Sequence, residues 1–195
     1  MTLLTLVRHG QTDWNLAKRI QGSTDIPLNE TGRGDALWAA GQLGGSTHHV
    51  IYSSPLVRAR ETAQIIAREL GLNEPALVPD VREREFGLGE GMLVSDYIET
   101  YGDWLAEVPG AETLEGVAAR ALVALDGIAQ ESRRRSSPAA ESIIVVTHGG
   151  VIRSLIDHVS GGTLPRVGEV LKNGSVHRFE ASPGSLRLLE HSVLL

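Results

Sequence analysis

The sequence predicts an α/β fold in which a mostly parallel central sheet is flanked by helices. Three observations carry this. Short apolar runs alternate with segments of helical periodicity along most of the chain. The run Ser142-Ile143-Ile144-Val145-Val146-Thr147 is β-branched and apolar on both faces, as a parallel strand covered by helices on each side must be. The C-terminal segment reads as a hairpin with Asn173-Gly174 as a two-residue turn, which would add an antiparallel edge to the sheet.

Taken in order, residues 3–7 form an apolar strand ending at Arg8, and a loop rich in Gly, Asp, Asn and Pro runs from His9 to Asn29. Thr31 to Gly44 is predicted helical, with Ala36, Leu37, Ala40 and Leu43 on its apolar face. Val50-Ile51-Tyr52 is a strand closed by Ser53-Ser54-Pro55. A helix follows from Leu56 to Leu70, aligning Ala59, Ala63, Ile66, Ala67 and Leu70 and capped by Gly71. Ala76-Leu77-Val78 is a brief strand and residues 83–91 a glycine-rich loop. Helices are expected over Ser95 to Val108 and Thr113 to Arg134, the second with a stripe of Leu114, Val117, Ala121, Leu122, Leu125 and Ile128. The strand at 142–147 leads into a helix over Val151 to Val159. The basic run Arg133-Arg134-Arg135 before Ser136-Ser137-Pro138 fits a helix C-terminus, where cations complement the dipole.

At 195 residues the chain is predicted to form one domain spanning 1–195, with residues 93–112 as a helical insertion covering the substrate. A composition of 42% hydrophobic and 22% charged residues is that of an ordered globular protein, and no window has the roughly 18 to 20 apolar residues of a membrane span. Residues 1–7 lack the basic leader and small-residue cleavage site of a signal peptide, so a cytoplasmic location and no membrane association are expected. The absence of cysteine excludes disulfides, thiolate metal sites and cysteine nucleophiles. A net charge of −6 argues against nucleic acid as a partner.

The chemistry-bearing residues cluster by motif. Val7-Arg8-His9-Gly10 follows the first strand and Thr147-His148-Gly149-Gly150 follows the one at 142–147. In parallel α/β sheets ligands bind outside the carboxyl ends of the strands, so neighbouring strands would aim both imidazoles into one crevice. Gly149-Gly150 opens a helix whose free N–H groups favour an anion. Arg58 stands in the first turn of its helix, where a cation is unfavourable unless it faces an anion; the alternative is a surface arginine paired with Glu61. His48-His49 is expected to project two ways along a strand start rather than to hold a metal.

At this point the sequence resembles the histidine phosphatase superfamily, which includes the cofactor-dependent phosphoglycerate mutases and related broad phosphatases. Arg8-His9-Gly10-Gln11-Thr12, Trp14-Asn15, Gln21-Gly22, Asp25-Ile26-Pro27-Leu28 and Thr31-Gly32 match its opening. Ser53-Ser54-Pro55 with Arg58-Ala59 and Thr62-Ala63, then Arg82-Glu83 with Gly87 and Glu90-Gly91, then Thr147-His148-Gly149-Gly150 follow in family order. The resemblance implies a three-layer, phosphoglycerate mutase-like sandwich. It also implies that His9 is the nucleophile, forming a phosphohistidine, with Arg8, Arg58 and His148 holding phosphoryl oxygens. Asn15 and Gln21 would add hydrogen bonds, Gly22 and Gly149 would line the substrate site, and Glu83 would be the proton donor. One carboxyl group can both give and take the proton if its pKa is raised. Glu85, two residues on, is read as a solvent-facing or supporting residue. No metal and no cofactor are implied.

The chain departs from many phosphatase relatives in having Leu88-Gly89 where they carry an acidic residue and a tryptophan. Trp14 is family-like, Trp38 and Trp104 read as packing residues, and Val94 to Pro109 is where specificity is expected to be decided, with Tyr101 and Trp104 as candidate substrate contacts. The expected activity is metal-independent hydrolysis of a small phosphate monoester. A mutase would return the phosphoryl group to its product, but no extended basic insertion lies between Glu83 and Glu112. After Arg84 that stretch holds Asp96, Glu99, Asp103, Glu107 and Glu112 and no further Lys or Arg. A non-catalytic phospholigand-binding domain would need a lost catalytic residue, and none of the five is lost. A protein phosphatase is disfavoured only by the acidic rim. The C-terminal hairpin could supply the edge of a homodimer.

Overall fold

The computed structural model describes residues 1–104, 106–136, 141–166 and 168–192. Its strands are β1 (Thr2–Arg8), β2 (Val50–Ser53), β3 (Ala76–Leu77), β4 (Ser142–Thr147), β5 (Val176–Ser182) and β6 (Ser185–His191). Its helices are α1 (Asp13–Leu16), α2 (Glu30–Leu43), α3 (Val57–Leu70), α4 (Val94–Tyr101), α5 (Leu114–Ser136) and α6 (Gly149–Val159). The strands form one sheet in the order β3-β2-β4-β1-β5-β6. β4 pairs in parallel with both β2 and β1, while β5 and β6 add the antiparallel edge. No helix among the described residues is long and apolar enough to cross a membrane.

The layers follow from alternation along the central strands. Leu4, Leu6, Ile143 and Val145 face α5 and α6, meeting Val117, Ala121, Leu125, Ile152 and Leu155. Val7, Ile144 and Val146 face α2 and α3, meeting Ala40, Leu43, Ala59, Ala63 and Ile66. Every residue of β4 is buried, and its four central Ile and Val side chains each contribute about 2 kcal/mol of burial. The strand is thereby fixed as the spine of the sheet.

Several expectations are corrected. The loop from His9 to Asn29 contains α1, capped by a Thr12–Asn15 capping box. In α2 it is Ala39, not Leu37, that joins the buried face; Leu37 is 51% and Trp38 55% exposed. The helix predicted over 95–108 stops at Tyr101, where Gly102 takes φ 94. The C-terminal hairpin turns at Pro183-Gly184, while Asn173-Gly174 lies before β5, under the carboxyl end of β1. Gly71 caps α3 in the left-handed conformation, as read. Arg133 to Arg135 close α5, and Ser137 and Pro138 fall outside the described residues. His48 and His49 both contact Ser142, through its hydroxyl and its N–H respectively.

Candidate active site

Arg8 and Thr147 are register partners at the ends of β1 and β4, so the residues after them, His9 and His148, emerge side by side. Their rings lie 5.1 Å apart, centroid to centroid, tilted by 58°. Gly10 is required here, because a Cβ would come within 2.1 Å of the Gly32 carbonyl oxygen. His9 Nδ1 lies 2.7 Å from the Gly10 carbonyl oxygen. A carbonyl only accepts, so Nδ1 carries the proton and Nε2 keeps its lone pair. Burial first, then the Arg58 and Arg8 charges, hold the His9 pKa well below the usual histidine range. His148 is depressed in the same way, by burial and then by Arg58. His148 Nε2 meets Ser54 Oγ at 2.8 Å, and its Nδ1 is buried without a partner.

Arg58 is fully buried rather than superficial, and Glu61 pairs instead with Arg33 at 2.8 Å. Its terminal nitrogens donate to the carbonyls of Thr24 and Gly22, each at 2.8 Å, which fixes the plane of the guanidinium. The first turn of α3 has no side-chain cap of its own; Asp25 supplies one from the preceding loop, accepting from Val57 N–H at 2.7 Å. Arg8 donates to the Leu171 carbonyl, and its charge is held beside Gly149, where a Cβ would sit 3.2 Å from Arg8 Nε. The Nε–H groups of both arginines are buried with no acceptor among the described residues. With His148 Nδ1, three buried polar atoms around His9 are left unsatisfied, which calls for an anionic ligand.

Asn15 and Gln21 line the same cleft, of about 170 Å³, with Arg8, His9, Gly22, Arg58 and Glu83. Thr12 orients both amides: its N–H donates to Asn15 Oδ1 at 3.1 Å, which leaves its one hydroxyl proton for Gln21 Oε1 at 3.0 Å. With those oxygens engaged, the amide NH2 groups are the ends available to a ligand. Gly22 takes φ 50, and a Cβ there would strike the Glu90 carboxylate. That carboxylate accepts from Ser23, Thr24 and Phe86, tying the two loops of the cleft together. Asn173, which the sequence reading assigned to a hairpin, donates to the His9 carbonyl at 2.9 Å and to Asn15 Oδ1 at 3.3 Å.

Glu83 enters from the opposite wall. Its carboxylate accepts from Arg84 N–H at 2.8 Å and from Gly150 N–H at 3.2 Å, so the α6 N-terminus serves this carboxylate. A Cβ at Gly150 would lie 2.4 Å from it. Arg120 of α5 holds the segment from behind, donating to the carbonyls of Asp80, Arg82 and Glu83 while paired with Glu112 at 2.8 Å. Glu85 pairs with Arg82 at 3.2 Å, away from the cleft lining. Arg84, buried beside Glu83, donates to the Trp104 and Glu112 carbonyls at 2.8 Å each. The sequence does not single out Thr12, Arg84, Arg120 or Asn173 for these roles: the last three depend on partners distant in sequence, and Thr12 acts through Asn15 and Gln21 of its own loop.

Phe86, Val94 and Trp104 form the outer wall. Trp104 stacks on Tyr97 at 5.2 Å, and the Tyr97 ring occupies the space where a Cβ at Gly89 would lie 2.6 Å away. The space beside Gly89 is thus filled by Tyr97. Tyr101 packs on Tyr97 at 5.1 Å and is not among the cleft-lining residues. A larger groove of about 420 Å³, between α5, α6 and the hairpin turn, carries none of these groups.

Comparison with known proteins agrees with this geometry. The sequence profile of the histidine phosphatase superfamily (branch 1) matches residues 4–193. An uncharacterised phosphatase, PhoE, of Bacillus subtilis (strain 168) is 34% identical over 99% of this chain and 95% of its own. A metal-independent phosphoserine phosphatase of Arabidopsis thaliana is 38% identical over 80% of this chain and 67% of its own. Relatives named as phosphoglycerate mutases match as well. Among solved structures, a mycobacterial glucosyl-3-phosphoglycerate phosphatase in complex with VO3 superposes with a TM-score of 0.81 at 28% identity, covering 96% of each chain.

Proposed function

The chain belongs to the histidine phosphatase superfamily, and we propose that it hydrolyses small phosphate monoesters, without a metal, through a phosphohistidine on His9. The observation that carries this reading is that Arg8 Nε, Arg58 Nε and His148 Nδ1, buried and without partners among the described residues, gather beside a neutral His9 imidazole. His9 Nε2 attacks phosphorus as the ester P–O bond breaks, and the departing alkoxide takes the Glu83 proton. Arg8, Arg58 and His148, with the Asn15 and Gln21 amides, take up the charge on the equatorial oxygens. Glu83, now a carboxylate, removes a proton from water as its oxygen attacks phosphorus. The P–N bond breaks, orthophosphate leaves, and Glu83 is again protonated.

Freedom from metal is supported by two guanidinium groups, Arg58 fully and Arg8 partly buried, that can supply the charge a metal would, and by the metal-independent relative. Hydrolysis is favoured over mutase activity because, beyond Arg8 and Arg58, the cleft lining offers one further cation, Arg19, beside Phe86, Val94 and Trp104. The test is a panel of phosphate esters assayed with wild type and His9→Ala, with acid-labile phosphoenzyme trapped from the wild type. Unchanged turnover in His9→Ala would overturn the mechanism, and dependence on added 2,3-bisphosphoglycerate would reverse the choice between hydrolase and mutase.

A further inference from the structure

His9 gives its Nδ1 proton to a peptide rather than to a side chain, and that peptide has a second partner. The Gly10 carbonyl receives the proton at 2.7 Å. The other half of the same peptide unit, the Gln11 N–H, donates to Asp35 Oδ2 at 2.9 Å. A carboxylate, a peptide and an imidazole are thus joined in one chain of hydrogen bonds. Donating to an anion polarises the peptide and makes its carbonyl a stronger acceptor.

The surrounding structure fixes each link. Gly10 N–H donates to Thr62 Oγ1 at 3.0 Å, and the Gln11 carbonyl accepts from Asn29 N–H at 3.0 Å. Gly32 of α2 lies against this peptide, where a Cβ would come within 2.0 Å of the Gln11 oxygen. Asp35, half-buried on the same helix, is covered by the turn at 173–174: a Cβ at Gly174 would sit 3.2 Å from Asp35 Cβ. Burial raises the Asp35 pKa, while the Gln11 N–H and the Arg8 charge act against the rise and favour the carboxylate. His148 supplies a contrast. Gly150 N–H also donates to a carboxylate, that of Glu83 at 3.2 Å, yet His148 Nδ1 has no partner and no such chain reaches its ring.

The effect on the reaction follows from charge. As Nε2 bonds to phosphorus the ring becomes positive, and its Nδ1–H becomes a stronger donor. An acceptor backed by a carboxylate stabilises that charge more than it stabilises the neutral ring. It also opposes the lowering of ring basicity by burial, Arg58 and Arg8. We propose that Asp35 is a positioning residue for the nucleophile: acting through the peptide between Gly10 and Gln11, it keeps His9 protonated on Nδ1 and free on Nε2, and stabilises the charge the ring gains on attack. This rests on the hydrolytic reading above.

The test uses Asp35→Asn, which keeps an oxygen for the Gln11 N–H but loses the charge, and Asp35→Ala, which loses both in a residue that suits a helix. Phosphoenzyme formation from p-nitrophenyl phosphate is followed in single turnover. The His9 ring nitrogens of the free protein are read by nitrogen NMR and assigned by their loss in His9→Gln. Asp35→Asn is expected to slow phosphoenzyme formation about three- to ten-fold, the difference between a charged and a neutral acceptor. Asp35→Ala is expected to slow it about ten- to a hundred-fold, with half-saturation and inhibition by orthophosphate within about two-fold of wild type. In both variants the Nδ1 and Nε2 shifts move toward one another as the Nδ1–H form loses its hold, which a general packing defect would not produce. An unchanged rate in Asp35→Ala, or unaltered ring shifts, overturns the proposal. So does a loss confined to half-saturation and orthophosphate inhibition, which would place the effect on Arg8 instead. Absence of any phosphoenzyme in wild type overturns the hydrolytic reading, while the ring shifts, read without substrate, still decide whether Asp35 sets the form of His9.

Discussion

Lowering the pH from 7.5 to 5 is expected to cost this protein stability, and His177 allows the size of the effect to be worked out. The ring is fully buried in β5. Its Nδ1 accepts the Ser192 N–H at 3.3 Å, so the neutral ring carries its proton on Nε2 and gives it to Ser175 Oγ at 2.9 Å. A second proton would set N–H against N–H inside the core. Burial, then the charges of His191 and Arg8, lower its pKa from 6.5 to about 3. The unfolded chain binds this proton below pH 6.5 and the folded chain does not, so the contribution is complete above 6.5 and is lost as pH falls toward 3. At pH 5 the loss is about 2 kcal/mol, a readable fraction of the roughly 5–15 kcal/mol of a typical domain. His9 and His148, also depressed, act with the same sign. Urea unfolding followed by circular dichroism at pH 7.5 and pH 5 measures the change, and His177→Gln isolates the residue. The drop in the variant should be smaller than in wild type by about 2 kcal/mol, with the constant cost of removing the ring cancelling between the two pH values. Equal drops, within about 0.5 kcal/mol, would refute a neutral buried His177.

Glu83→Gln should lower kcat/KM for alkyl phosphates by about 10² to 10⁴, and for p-nitrophenyl phosphate far less, because that leaving group needs no proton. Equal losses on both esters would remove Glu83 from the role of proton donor. Asn173→Ala frees the His9 carbonyl and Asn15 at once. It is expected to slow phosphoenzyme formation by about ten- to a hundred-fold with little change in KM, as misplacement of a reacting group does; a pure KM effect would argue against positioning. Gly89→Trp should destabilise the wild type but be tolerated better in Tyr97→Ala, with a coupling of about 1 kcal/mol or more in thermal unfolding. Strict additivity would mean that Tyr97 does not fill the space at position 89.

Much of the fold was legible because single elements carry their own signals. β4 was read residue for residue, since an unbroken β-branched run has one physical explanation in a chain with alternating helices. Gly71 ended α3 where a left-handed residue was needed. The misreadings occur where a local signal serves a distant partner. Asn173-Gly174 does turn the chain, with Gly174 at φ 73, but its N–H groups are spent on Arg8 and His9 rather than on a hairpin. Trp104 and Val108 keep helical spacing after Tyr101, yet they reach the cluster under the cleft from irregular chain beyond Gly102. Leu37 and Trp38 were read by hydrophobicity, and the close packing of α2 against α3 admits alanines instead.

The site divides along the same line. That His9 and His148 meet follows from two strands being neighbours, which the α/β rule anticipates. Spacing alone leaves the two histidines interchangeable, since each follows a strand and precedes a glycine. What separates them is one contact each. His9 gives its Nδ1 proton to the carbonyl of the next residue and turns a bare Nε2 outward into the cleft. His148 spends its Nε2 on Ser54, 94 residues away, and is absent from the cleft lining. A lone pair facing the crevice suits attack on phosphorus, and a buried imidazole behind it suits support of the charge that attack creates. The difference in proposed role therefore rests on hydrogen bonds made by the ring nitrogens, which no motif records.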